Sequence, residues 1–187
     1  MTPQAAPCPK LRGLAFALAV LACFASSVAN AQSRDERAVR AAYVYNLIKY
    51  VDCSAPQKEL TIAFAGDEVT NDVILHLLDG RTSNGQTIHA VRWSGAAELQ
   101  RCSVLYIADT HEADLHRYLE QVQGRGVLTI GETEAFTQAG GMVGLVNTGD
   151  HIRIEVNLEA VQAAGIRISS RVLELAAIVR PAGKGGN

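Results

Sequence analysis

The segment His111-Glu112-Ala113-Asp114-Leu115-His116 comes nearest to reactive chemistry in this chain. A helical H-E-x-x-H segment holds a metal because its two imidazoles lie one turn apart on one face, with the glutamate as base. Here position 115 is Leu, and the second histidine is His116. The motif is missed by one position. His111, Asp114 and His116 still make up the candidate set for a metal-dependent hydrolase, and a solvated helix face is the better account of the same residues. His76, His89 and His151 are isolated. No G-x-S-x-G elbow occurs, and no cysteine stands with a histidine in a recognisable nucleophile motif. Gly66-Asp67 follows an apolar strand, but neither G-x-x-x-x-G-K nor G-x-G-x-x-G continues it, so the loop lacks a phosphate fingerprint. Asp109 at a strand end is the best lone acid, and capping the next helix accounts for it as well. Ser169-Ser170-Arg171 opens a helix where an anion or a simple cap would fit. We therefore expect no catalytic residue, no cofactor and no resident metal.

Such side chains as there are must be placed by an exported domain. Lys10 and Arg12 precede a charge-free apolar run from Gly13 to Val28, and Ala29-Asn30-Ala31 is an A-x-A cleavage site. Residues 1–31 read as a secretory signal peptide. Val20-Leu21-Ala22-Cys23 offers a minority alternative, a lipobox with Cys23 as the lipidated residue; Leu21 is unusual in that slot. Cleavage after Ala31 leaves 15 basic residues against 19 acidic ones, a net charge of −4 with His neutral. Without a basic patch, nucleic acid is not an expected partner. Nothing in the mature chain is long and apolar enough to insert into a bilayer. Cys53 and Cys102 stay after cleavage. In an oxidising compartment they either pair or remain two free thiols, and spacing leaves both open.

The expected fold is α/β: a single three-layer domain over residues 32–180. It would contain a mixed, mostly parallel sheet flanked by helices, with a C-terminal antiparallel hairpin. Residues 181–187 are expected to be a disordered tail. Ser33 to Glu36 is a capping box for a helix running to about Val51, with Val39, Tyr43, Leu47 and Tyr50 at helical spacing. Asn46, within that band, is expected as a buried amide. Short apolar strands at 60–65, 87–93, 104–108 and 127–130 alternate with helices at 69–78, 112–122 and 132–138, while 79–86 reads as a polar loop. Met142–Val146 and the alternating Ile152, Ile154 and Val156 flank the Asn147–Asp150 turn cluster as a hairpin. A short helix over Leu158–Ala164 ends at Gly165. A last helix, capped by Ser169 or Ser170 and carrying Val172, Leu173, Leu175, Ala176 and Ile178, is expected to cover the hairpin.

Several blocks together resemble the YfiR-like family of bacterial periplasmic proteins. They are Ala42-Tyr43-Val44-Tyr45-Asn46-Leu47-Ile48-Lys49-Tyr50-Val51, then Cys102-Ser103-Val104-Leu105-Tyr106-Ile107, and then Val127-Leu128-Thr129-Ile130 with Phe136 and Gly140-Gly141-Met142. The last is Arg153-Ile154-Glu155-Val156-Asn157-Leu158 with Gly165 and Ile168 to Ala176. No block is specific alone; the ordered set is. The resemblance implies a non-enzymatic periplasmic regulator that binds the periplasmic sensor domain of an inner-membrane diguanylate cyclase and holds it inactive. Release would raise cyclic-di-GMP and promote biofilm. It also implies a homodimer and disulfides tied to stability and redox response. The runner-up is a periplasmic small-ligand binding module feeding a sensor kinase or other receptor.

Two departures from the family pattern bear on the disulfide. Its Trp-Pro after the first helix is replaced by Cys53-Ser54, and its first-strand cysteine by Ala63, while Cys102 keeps its place. On that resemblance, a Cys53–Cys102 bridge substitutes for the family bridge. A non-reducing peptide map of the mature protein is expected to recover the two cysteine peptides joined; recovery of both as free thiols would exclude the bridge.

Overall fold

Near-continuous apolar runs build the central strands of this chain (Val104–Ile107, Leu128–Gly131, Val143–Asn147), and apolar–polar alternation builds Ile152–Asn157. The computed structural model describes residues 36–52, 58–99, 103–149 and 151–180. The leader 1–31 with Cys23, the Ser33 cap, Cys53, Cys102 and the tail 181–187 lie outside the described residues. In chain order the elements are α1 (36–48), β1 (Val51–Asp52), β2 (Glu59–Ala65), α2 (Glu68–Leu78), β3 (Thr82–Ser83) and β4 (Gln86–Arg92). A 3-10 turn (Ala96–Glu98) leads to β5 (Val104–Ile107), α3 (Glu112–Val122), β6 (Leu128–Gly131), α4 (Ala135–Gln138), β7 (Val143–Asn147) and β8 (Ile152–Asn157). The chain closes with α5 (Leu158–Ala163), β9 (Arg167–Ile168), α6 (Ser170–Leu173) and β10 (Ala177–Val179).

Eight strands form one mixed sheet in the order β10-β8-β7-β6-β5-β2-β4-β3. All neighbours are parallel except the hairpins β7–β8 and β3–β4. The register aligns Phe64, Tyr106, Ile130, Val143, Val156 and Ile178 in one row across six strands. From Phe64 to Val156 that row belongs to the larger core, with Ala41, Val44, Leu47 and Ile48 of α1, Ile74 and Leu78 of α2, Val161 of α5 and Val172 of α6. The other face packs Ala63, Ala65, Leu105 and Ile107 against Leu115 and Val122 of α3 and Phe136 of α4. Helices on both faces make three layers, an α/β domain with a mixed, mostly parallel sheet and an antiparallel hairpin.

The next row runs Ala65, Ile107, Gly131, Gly144, Glu155 and Ala177. Its two central glycines make room for α4. A Cβ on Gly131 or on Gly141 would collide with the Phe136 ring, and one on Gly144 would lie 3.3 Å from Thr137 Cγ2.

Three local expectations are corrected. The first helix stops at residue 48 instead of Val51; Val51–Asp52 pairs antiparallel with Arg167–Ile168, and Ser169 N–H donates to Tyr50 O at 2.9 Å. The expected last helix shrinks to Ser170–Leu173, and Ala177–Val179 becomes a parallel strand on β8, so the β7–β8 hairpin is not the sheet edge. Ile178 and Val179 are β-branched, and an open β8 edge offers their backbone a ladder of hydrogen bonds that an exposed helix end cannot. The 79–86 loop contains a small hairpin, because Asn84 (φ 49°) and Gly85 (φ 78°) both adopt the left-handed conformation of a two-residue turn.

Gly131→Ala forces Phe136 out of its seat. Denaturant titration is expected to show a loss of about 1–3 kcal/mol, the usual cost of overpacking, with the same result for Gly141→Ala; unchanged midpoints would contradict this packing.

Candidate functional site

α1 has more apolar surface than one sheet contact can cover. Its buried stripe is Arg40, Ala41, Val44, Leu47 and Ile48. A second stripe, Val39, Tyr43, Asn46 and Tyr50, continues past the helix end and is not sealed by the sheet. With Ala42 and Leu47 it forms one wall of a groove of ≈ 290 Å³, whose other residues are Leu145, Ile154, Val172 and Leu175. The floor is the cross-strand pair Leu145–Ile154 of the β7–β8 hairpin. The far wall is α6 and the turn after it. The β1–β9 pair ties the segment after α1 to the segment before α6, so both walls share one anchor. The groove is apolar yet open to solvent: Val39 is 47 %, Tyr50 40 % and Leu175 80 % exposed. Large apolar groups left in water beside a preformed groove mark a contact surface more often than chance.

Directly under α1 lies a buried polar chain. Arg40 (7 % exposed) donates from Nη1 to Leu145 O at 3.1 Å, and the same nitrogen is 3.6 Å from Glu132 Oε2. Glu132 Oε1 accepts a hydrogen bond from the Tyr106 hydroxyl. The chain thus joins α1, the end of β6, β5 and β7. Burial pushes the Tyr106 hydroxyl well above its ordinary pKa; the Glu132 charge and hydrogen bond raise it further, and Arg40 opposes them. A second polar group lies on the other face. Glu155 accepts two bonds from Arg153, at 3.1 and 2.8 Å, and one from Thr137 Oγ1 at 3.0 Å, while Asn157 Nδ2 donates to Thr137 O at 3.1 Å. The polar side of β8 therefore faces α4 at Glu155 and Asn157.

The reactive candidates do not converge. His116 faces Glu112 at 3.8 Å, Asp114 pairs with Arg117 at 2.6 Å, and both His111 and His116 are exposed on α3. Among the described residues no three His, Cys, Asp or Glu side chains group as a metal site. Asp109 does not cap α3; His111 occupies that position, and the Asp109 carbonyl accepts from Asp67 N at 3.1 Å. This contact closes the loops after β2 and β5, at the switch point where open α/β sheets commonly take ligands. The Asp67 carboxylate caps α2 through Thr70 N at 2.7 Å, which holds its pKa below the ordinary carboxylate value. Ser169 caps α6 as expected. Asn46 is not the buried amide expected; it is exposed, lines the groove and accepts from Lys49 Nζ at 3.4 Å. Tyr45 is a packing residue with a polar tip, its hydroxyl donating to Thr82 O at 2.8 Å.

Sequence reasoning passed over Arg40 and Glu132. Arg40 precedes Val44 and Leu47 by four and seven residues, the spacing of the buried stripe, and that is the signal that could have found it. Glu132 reads as the start of a helix, whereas α4 begins at Ala135 and Glu132 directly follows β6, bonded toward Tyr106 and Arg40.

The groove and the polar chain both fall within residues 37–177, which match the YfiR/HmsC-like family. That is most of the chain, and the chain belongs to this family. Its members are periplasmic regulators of diguanylate cyclase signalling that act with a cyclase's periplasmic sensor domain. Among the described residues no helix is long and apolar enough to cross a membrane.

A tyrosine kept neutral by burial sets a pH dependence. Its folded pKa is raised above the unfolded value, so its contribution to stability is whole below about pH 10 and is lost as pH rises through the folded value. Thermal melts from pH 8 to 11 are expected to fall steeply above pH 10 for the native protein and less steeply for Tyr106→Phe; parallel curves would contradict this assignment.

Proposed function

We infer that this chain is a periplasmic repressor that binds the sensor domain of an inner-membrane diguanylate cyclase and keeps the enzyme inactive. The exposed apolar groove between α1 and α6 carries the reading, because family membership calls for a protein contact and this surface is built for one. Interface cores are depleted of charge, more apolar than the rest of the surface and enriched in aromatic residues; Tyr43 and Tyr50, with Val39 and Leu175 in the same groove, meet that description. Repression of this kind is a population shift. The regulator must bind the inactive sensor more tightly than the active one, and a releasing signal must erase that difference. Lower cyclic-di-GMP and less biofilm are the consequences. Export by the 1–31 leader, a homodimer and the Cys53–Cys102 bridge belong to the same reading.

The groove's volume supports a second reading, a small-ligand module feeding a sensor kinase, since ≈ 290 Å³ is close to the lower end of small-molecule sites, about 300 Å³. A kinase gene beside this one would favour it, and a cyclase gene the first.

Leu175→Glu and Val39→Asp put charge on exposed positions that the core does not need. Each is expected to weaken sensor binding by about 2 kcal/mol or more, the size of an interface hot spot. In cells each should raise cyclic-di-GMP toward the level of the gene deletion. Unchanged cyclic-di-GMP in both variants and in the deletion, with no cyclase recovered in pull-downs, would refute the reading.

A further inference from the structure

We propose that Arg40 is the positioning residue of the groove, fixing the distance between its α1 wall and its β7–β8 floor. The inference rests on the docking reading above and adds what holds that surface in shape. Arg40 does not line the groove; its neighbours do. Val39 precedes it and Tyr43 follows one turn later, both on the groove wall. Its guanidinium reaches away from them, through the helix–sheet seam, to the carbonyl of Leu145, whose side chain is part of the floor. One side chain thus spans from wall to floor. Glu132 holds the guanidinium from the side at 3.6 Å, and Tyr106 fixes Glu132 by its hydroxyl. Tyr106 cannot shift, because it is fully buried in the middle of the sheet with its ring 5.5 Å from that of Phe64.

The rest of the α1 seat is apolar. Ala41, Val44, Leu47 and Ile48 define a face but no register along the sheet, since apolar contact is non-directional. The directional bonds at the far end of the helix are Tyr45 Oη to Thr82 O at 2.8 Å and Asn84 Nδ2 to Lys49 O at 3.0 Å. At the near end Arg40 supplies a directional bond, to Leu145 O at 3.1 Å. Loss of the Glu132 charge would let the near end of α1 swing about the far end, moving Val39 and Tyr43 relative to Leu145 and Leu175 and spoiling the groove without touching it.

Hydrogen exchange and sensor binding on Glu132→Gln, Tyr106→Phe and Leu175→Glu test this. Glu132→Gln keeps the shape and the bond to Tyr106 but removes the charge. Its α1 amides are expected to exchange roughly tenfold faster, as in local opening, while those of β2 and β5 keep their protection. Affinity for the isolated periplasmic sensor domain should fall about tenfold. Tyr106→Phe should act in the same direction and more weakly, and it serves if Glu132→Gln does not fold. Unchanged α1 exchange, or α1 and the central strands accelerating together, would overturn the proposal. So would a loosened α1 with undiminished sensor affinity while Leu175→Glu still lowers it, which leaves the docking reading standing. If Leu175→Glu has no effect on affinity, the docking reading fails and the proposal with it, whatever α1 does.

Discussion

Arg40 carries a permanent charge into the seam between α1 and the sheet, and the surrounding structure is arranged around that charge. Removing either member of a buried ion pair strands the other, although the intact pair gains little over a well-packed apolar one. The pair is therefore poorly explained as a source of stability. It is better explained by direction: it adds a directional contact to the apolar seat of Ala41, Val44, Leu47 and Ile48. Glu132 at the end of β6, Tyr106 in β5 and the Leu145 carbonyl in β7 supply the partners, and the parallel register of those three strands brings them side by side.

From that seat the exposed surface follows. The helix is apolar over two stripes, one buried on the sheet and one turned to the groove. The hairpin provides the floor, and the return of the chain through β9 and α6 to β10 provides the second wall. On the opposite face Gly131, Gly141 and Gly144 make way for Phe136 and Thr137, and Thr137 in turn bonds Glu155. The loops after β2 and β5 are joined by the bond from Asp67 N to Asp109 O. Val39, Tyr50 and Leu175, three of the five exposed large apolar side chains among the described residues, gather at the groove.

Much of this was legible from sequence where a pattern was long and local. The alternation Ile152, Ile154, Val156 placed the hairpin, the apolar runs placed the core strands, and the ordered blocks from Tyr43 to Ala176 pointed to the family. The rest depended on tertiary partners. Arg40 was hidden because a charged residue is ordinarily assigned to the solvent face, and its three partners lie far away in sequence. Ala177–Val179 was too short for periodicity to separate helix from strand, and the free edge of β8 decided it. Asn46 lies on the groove stripe with Val39, Tyr43 and Tyr50, not on the stripe buried against the sheet. The Asn84-Gly85 dipeptide alone signals a two-residue turn, more specific than a polar loop over 79–86.

The central claim is that the α1–α6 groove is where this regulator holds its cyclase. Photo-crosslinking from single positions in the periplasm tests it most directly. A photoreactive residue at 43 or 175 should capture the sensor domain of a diguanylate cyclase, whereas one at 116 or 120 on α3, on the far face, should not. Capture from α3 with none from 43 or 175 would contradict the account.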